Sequence, residues 1–239
     1  MMASVDVPDG IESWSAEQVL AWTARAGRAT FGTGFGAEGC VLVHLIADAR
    51  LPIDIFTLDT GLLFPETYTV WRTLEARYGI TIRAVRPEQT VEEQAAAHGP
   101  ALWERDPTRC CELRKLEPLR GALAGNDLWV TAIRRDQTAE RADAPVVERD
   151  KRYGLLKVNP LVGWTSKDVW AFIRANDVPY NSLHDAGYPS IGCQPCTTPV
   201  AEGEDPRAGR WRGFQKNECG LHLKTDLLTT QAKGDTARE

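Results

Sequence analysis

Ala29-Thr30-Phe31-Gly32-Thr33-Gly34-Phe35-Gly36, running directly into Ala37-Glu-Gly-Cys-Val-Leu-Val-His-Leu-Ile-Ala47, reads as a short strand, a glycine-rich turn and an apolar helix. That order aims backbone N–H groups and the positive end of the helix dipole at whatever lies over the turn, which suits a phosphate. Glycine-rich corners also arise for steric reasons alone, so the flanking sequence has to decide. It repeats the alternation. Ile53-Asp-Ile-Phe-Thr-Leu58 is a strand that ends in the loop Asp59-Thr60-Gly61, and Pro65-Glu66 opens a helix that runs to about Tyr78 and stops at Gly79. Residues 80–85 form a third strand, Thr90-Val-Glu-Glu93 is a capping box, residues 113–123 are helical, and Leu128-Trp-Val-Thr-Ala-Ile133 is a fourth, apolar strand. The alternation over residues 28–135 predicts an α/β fold, a mainly parallel sheet with helices on both faces. Ligands of such sheets bind beyond the carboxyl ends of the strands. The glycine turn, Asp59-Thr60 and Arg134-Arg135-Asp136 all end there, on one crevice.

Upstream, Ser15-Ala-Glu-Gln18 caps a helix with Val19, Leu20 and Trp22 on its apolar side and Gly27 as its stop. Downstream of residue 140 the periodicity weakens. Residues 152–156 and Val158 read as edge strand or loop, and Trp164-Thr-Ser-Lys-Asp-Val-Trp-Ala-Phe-Ile173 as a capped helix ending near Asn176. The acidic, glycine-containing residues 201–209 are expected to be mobile, and beyond His222 only Leu227-Leu228 suggests a helical turn before a polar tail. The chain therefore divides into an N-terminal helical segment (1–27), a nucleotide-binding domain (28–200) and a mobile C-terminal segment (201–239).

With 239 residues, 43% of them hydrophobic, the chain can bury a substantial core. A net charge of −5 with no basic block excludes general binding to nucleic acid or membrane surfaces, so any anionic ligand needs a local cluster of cations. No apolar run approaches the ~18–20 residues that span a bilayer, and the N-terminus lacks a basic head, which predicts a soluble, cytoplasmic protein. In a reducing compartment the six cysteines are expected to be ligands, nucleophiles or core residues.

Four of those cysteines fall into two pairs, Cys110-Cys111 and the Cys193-Gln-Pro-Cys196 of Gly192 to Thr197. Adjacent cysteines make a strained disulfide, and two pairs supply the four corners of a tetrahedral ion or a cubane cluster. The residues alone also allow buried thiols or a redox dithiol. Cys40, among Val41, Leu42 and Val43, reads as core. Cys219, in the polar Asn217-Glu-Cys-Gly-Leu-His222, reads as an exposed thiol on a mobile arm, either a nucleophile or an ordinary surface cysteine. Lys115 follows Cys111 by about one helical turn. Arg207 and Arg210, separated by Ala208 and Gly209, can aim two planar forks at one phosphate or sulfate, although surface solvation accounts for any one of them.

Leu58-Asp-Thr-Gly61 with Pro65-Glu-Thr67, Cys110-Cys111 with Lys115 and Pro118-Leu119, Arg134-Arg-Asp-Gln137, Gly192-Cys-Gln-Pro-Cys-Thr197, Gly209-Arg-Trp211 and Glu218-Cys-Gly-Leu-His222 together resemble the iron-sulfur adenylylsulfate (APS) reductases of bacterial sulfate assimilation. The resemblance runs from about Thr30 to His222, and the double cysteine pair with the Glu-Cys-Gly-Leu-His ending carries its specificity. It implies a fold like that of the adenine-nucleotide alpha-hydrolase (PP-loop) class and a 4Fe-4S cluster on Cys110, Cys111, Cys193 and Cys196. It implies Cys219 as the nucleophile that takes up sulfite as an S-sulfonate, and a reduced thioredoxin or glutaredoxin-like protein as the partner that resolves it. Lys115, Arg207, Arg210 and His222 match positions that hold the phosphosulfate; Thr33, Gly34, Phe35, Gly36, Leu58 and Arg135 match nucleotide-binding positions. The family setting allows a homo-oligomer. The alternatives are activity on 3'-phosphorylated APS (PAPS), a zinc-stabilised nucleotide-binding protein without redox turnover, and an ATP-using ligase of the same fold, whose Ser-Gly-Gly-x-Asp-Ser loop is missing here.

Overall fold

The strand-helix alternation is present in the computed structural model of the chain, which describes residues 5–216 and 218–222. Helix α1 (Ala16–Ala26) begins at a reciprocal capping box, in which Gln18 N donates to Ser15 Oγ at 3.3 Å and Ser15 N donates to the Gln18 side chain, and it ends at Gly27. Strand β1 (Ala29–Thr33), helix α2 (Ala37–Asp48), strand β2 (Asp54–Leu58), helix α3 (Pro65–Tyr78) and strand β3 (Arg83–Val85) follow. The third strand is shorter than residues 80–85. Next come α4 (Val91–His98), capped by Thr90, then α5 (Leu102–Arg105), α6 (Pro107–Cys111) and α7 (Glu117–Leu123). Strand β4 (Leu128–Val130), β5 (Val147–Asp150), β6 (Leu155–Val158) and α8 (Ser166–Ala175) complete the order.

The six strands form one sheet in the order β3-β2-β1-β4-β6-β5, parallel except for β5 at the edge. The stretch read as edge strand or loop is internal where it forms a strand, because β6 pairs with β4 on one side and β5 on the other, and the edges are β3 and β5. Chain direction through the sheet reverses between β1 and β4, and the crevice beyond their carboxyl ends is where such sheets bind ligands. Successive strand residues leave opposite faces. Ile55, Val130 and Leu156 join the larger core with α1, α2, α3 and α8, whereas Phe56, Trp129 and Leu155 turn to the other face, against Leu119, Ala122 and Leu123 of α7. Helices therefore cover both faces, but α7 leaves part of its face open, and there Leu221 of the C-terminal segment packs.

The cysteine pair lies inside a helix rather than before one. Residues 107–123 are continuously helical, with a π-helical turn over Glu112–Leu116. Pro118 supplies the reason: it has no N–H to give the preceding turn, and its ring would strike the carbonyl four residues back, so the turn widens. Residues 201–209, expected to be mobile, form turns whose ends are joined, since Thr198 N donates to Gly209 O at 2.9 Å and Thr197 bridges Arg210. The suggested turn at Leu227-Leu228 lies outside the described residues. Among those described, no helix is long and apolar enough to cross a membrane.

Candidate active site

At the end of β1, Phe35 N donates to Thr33 Oγ1 at 3.1 Å, and Phe35 adopts a positive φ of 58°. The two side chains build the turn: Thr33 is buried, and the Phe35 ring lies in the core 5.7 Å from that of Trp71. Neither side chain is available to a ligand. Gly34 is exposed and Gly36, which caps α2 without a side chain, faces a cleft of about 930 Å³ together with Glu38, Arg134, Asp136, Arg207 and Arg210. Of the adjacent arginines after β4, the one in the cleft is Arg134, which donates to Glu38 at 2.8 Å and also pairs with Asp136. Arg135 turns the other way, to Ala144 O (2.8 Å) and Glu12 (3.0 Å). Leu58 closes β2 with its side chain packed in the α7-side cluster, outside the cleft lining.

The four paired thiols come together from opposite ends of the chain. Cys110 interacts electrostatically with Cys111 and Cys193, and Cys196 with all three. Gln194 N donates to Leu62 O (2.7 Å) and Trp211 N to Cys196 O (3.0 Å), which fix the Cys-x-x-Cys loop against the end of β2 and the C-terminal segment. Gly192 has no side chain because Arg210 lies where its Cβ would be. Burial pushes Cys110 up to about 11 and Cys196 to about 12. Burial acts on Cys193 in the same sense, but the Lys115 charge, the Thr60 hydroxyl and Arg210 outweigh it and hold this thiol below its usual value. No group of three His, Cys, Asp or Glu side chains among the described residues is arranged to hold a single metal ion. One ion needs its thiolates about 2.3 Å from a common point, whereas a cubane spreads them over its corners. Polar side chains stand behind two of the four thiols. Gln94 donates to Cys110 Sγ (3.9 Å), and Thr60 lies 3.4 Å from Cys193 Sγ. Arg114, buried, ties these donors together through Thr60 O (2.6 Å) and Gln94 Oε1 (3.1 Å). Such partners behind the ligands orient them and tune their basicity.

Lys115, in the widened helical turn, faces Cys193, Cys111 and Cys219. Burial disfavours its charge, but the thiols more than compensate and raise its pKa. Arg210 lies 4.4 Å over the Trp211 ring and donates to Ser190 (3.2 Å). Cys219 is half-buried, against the expectation of an exposed thiol, because its arm is docked. Arg152, in the β5–β6 turn, donates to Gly220 O (2.8 Å) and Leu221 O (2.7 Å), and His222 stacks on Trp129 at 5.4 Å. Arg141 and Arg207 grip Glu218. Three nitrogens in this neighbourhood, Arg141 Nε, Arg210 Nε and His222 Nδ1, are buried without a hydrogen-bond partner. The two guanidinium nitrogens are fixed donors and call for an acceptor, and one carrying several oxygens would satisfy both.

Residues 28–199 match the family model of the phosphoadenosine phosphosulfate reductase domain. The chain belongs to this family. An adenosine 5'-phosphosulfate reductase of Oceanobacillus iheyensis is 45% identical over 218 residues, 88% of this chain and 89% of its own length. The crystal structure of the PAPS reductase of Candida auris, a phosphate complex, is similar with a TM-score of 0.73 and 32% identity, covering 82% of this chain and all of that one. The FMN adenylyltransferase of Candida glabrata, solved with FAD and inorganic pyrophosphate, shares the fold alone, at a TM-score of 0.53 and 14% identity over 98% of this chain and 86% of that one. The sheet expected from the sequence is thus the sheet of the PAPS reductase family.

The family model ends at residue 199, so the arm's place in the site rests on its contacts. The resemblance places Lys115, Arg207, Arg210 and His222 at positions that hold the phosphosulfate, and in the structure these residues lie around Cys219 and its arm. The sequence alone does not single out Arg141 and Arg152, which lie where periodicity is weak, or Arg134, while the Arg135 it names turns its side chain to Ala144 O and Glu12. His222 allows a test of docking. Burial, then Arg141, Lys157, Arg152 and Arg207, hold its imidazole well below the ordinary range; released, it titrates near 6.5. The docked arm therefore binds fewer protons than the free arm, so docking is fully present above about pH 6.5 and is lost as pH falls below it. Hydrogen exchange of residues 218–222, corrected for intrinsic pH dependence, should show docking weaken between about pH 7.5 and about pH 5.5, with His222→Gln flat across that window.

Proposed function

We propose that the protein reduces APS to sulfite and AMP in assimilatory sulfate reduction, with Cys219 as nucleophile. The observation that carries this reading is the position of Cys219, a thiol in the electrostatic reach of Lys115, Arg141, Arg210 and Cys111. The Cys219 thiolate attacks the sulfur of the sulfuryl group, the S–O bond to phosphate breaks with its electron pair going to AMP, and the sulfonate remains on Cys219. Lys115 and Arg210 steady the charge that gathers on the leaving phosphate. A dithiol protein of thioredoxin or glutaredoxin type then attacks Cys219 Sγ, sulfite leaves, and the second thiol closes a disulfide, so the two electrons come from the dithiol. These reduced thiols suit a cytoplasmic setting. APS is favoured over PAPS because the 45%-identical relative is named for APS and the 32%-identical structure for PAPS.

Cys110, Cys111, Cys193 and Cys196 would hold a 4Fe-4S cluster, which would add cationic iron beside an anionic substrate. Protein isolated without air should carry about four iron and about four inorganic sulfide per chain; a colourless, zinc-loaded protein would replace the cluster reading by the zinc one. For the reaction itself, protein incubated with APS and no reductant should release about one AMP per chain and gain ~80 Da on the Cys219 peptide. Labelling by PAPS alone would reverse the choice of substrate.

A further inference from the structure

The reductase reading assigns no task to the residue before the nucleophile. Glu218 Oε1 accepts from Arg141 at 2.7 Å and Oε2 from Arg207 at 3.2 Å, with the Glu218 side chain 7% exposed. The two arginines come from distant loops, one after β4 and one after the Cys-x-x-Cys, and Arg207 also lines the nucleotide cleft. A carboxylate gripped by two guanidinium groups has the charge and the paired oxygens of one face of a phosphate or sulfate. Glu218 thus sits where an oxyanion would be received.

On the other side of Cys219 the attachment is of a different kind. Arg152 holds the carbonyls of Gly220 and Leu221, Leu221 packs in the α7-side cluster, and His222 stacks on Trp129. Arg152 is already neutralised by Asp150 at 3.1 Å, and the apolar contact and the ring stack offer an incoming anion nothing to displace. Gly220, with φ of 88°, joins the two attachments. Cys219 therefore stands between a contact that an anion can displace and an anchor that it cannot.

We propose that Glu218 is a positioning residue for Cys219: its carboxylate holds the oxyanion seat formed by Arg141 and Arg207 and yields it to an oxyanion, which frees Cys219 to reorient about Gly220 while residues 220–222 stay anchored. Docking of the thiol and binding of an oxyanion at this seat compete. The proposal rests on the reductase reading for its meaning in catalysis, but its test needs no turnover.

The full-length protein, prepared without air, is treated with iodoacetamide, a neutral reagent, and alkylation of the Cys219 peptide is followed by mass spectrometry. Sodium sulfate, compared with sodium chloride at equal ionic strength, should accelerate that alkylation about tenfold, as expected when the docked, protected state is about 90% populated without sulfate. Glu218→Gln should be fast without sulfate and insensitive to it, and Glu218→Asp should restore slow, sulfate-dependent alkylation. With APS, Glu218→Gln should lower KM, since a competitor for the seat is gone, and also lower kcat, since the thiol is held less well; a merely structural loss would scale kcat alone. Sulfate that slows or leaves unchanged the wild-type alkylation overturns the proposal, as does Glu218→Gln alkylating at the wild-type rate. The sulfate comparison on wild-type protein decides even if the variant folds poorly. Absence of APS turnover with these alkylation results intact would overturn the reductase reading instead.

Discussion

Cys219→Ser should release no sulfite: turnover falls by at least about 10⁴-fold, the scale seen when a covalent nucleophile is removed. Two separate reasons act. A serine hydroxyl is far weaker than a thiolate in attack on the sulfuryl sulfur. Any sulfate ester that did form would also resist the next step, because thiol exchange requires a sulfur at the bond being attacked and an ester oxygen offers none. The other groups of the site should be spared, since Arg141 donates to Gln137 and Glu218, Arg207 to Glu218 and Ser190, and Arg210 to Ser190 and Ile191 O. AMP binding measured by calorimetry should stay within about twofold of wild type, while the ~80 Da adduct disappears from the mass spectrum. Sustained sulfite release by the serine variant would take Cys219 out of the mechanism.

Lys115→Met should lower kcat/KM by about 10²- to 10³-fold, about 2.7–4 kcal/mol of lost charge stabilisation. Methionine keeps most of the side-chain volume, so the loss reads as charge rather than cavity. Lys115 shares with Arg210 the position facing Cys193, Cys111 and Cys219, and its charge is the largest of the influences that hold the Cys193 thiol low despite burial. The variant should therefore show a second effect that a remote lesion would not produce, an upward shift in the titration of the Cys193 thiol, measurable by its alkylation rate against pH in protein stripped of metal. A kcat/KM within threefold of wild type would mean that Arg210 carries the charge stabilisation without it.

Much of this architecture is written locally. The capping residues Ser15 and Thr90, Pro65 at a helix start and the glycines after β1 each act within a few residues, and each is found at work where the pattern places it. The site is legible only in its chemical vocabulary. Thiols and cations announce themselves by type, but the choice between Arg134 and Arg135 depends on the short turn over Arg135–Gln137, which sends one into the cleft and the other to Glu12. Arg141 and Arg152 gain their roles only when the arm folds back on them, a contact across 77 residues in one case and 68 in the other. The exposure of Cys219 was misjudged for the same reason. A polar, glycine-flanked segment looks free until Trp129, on the far face of the sheet, offers His222 a ring to lie on.

The π-helical turn over Glu112–Leu116 sets the angular place of the residues that follow it. An α-helix bonds each residue to the fourth before it and this turn bonds to the fifth, so it holds one residue more than an α-helical course would. Through that one surplus residue the helix shows consecutive thiols and, a turn later, the consecutive cations Arg114 and Lys115 to a common centre. A chain one residue shorter between Cys111 and Pro118 would swing Lys115 about a quarter-turn around the helix axis. A one-residue gap at this place in two aligned sequences would therefore mark a change in how the centre's charge is balanced, and would be worth more to a classifier than several substitutions elsewhere.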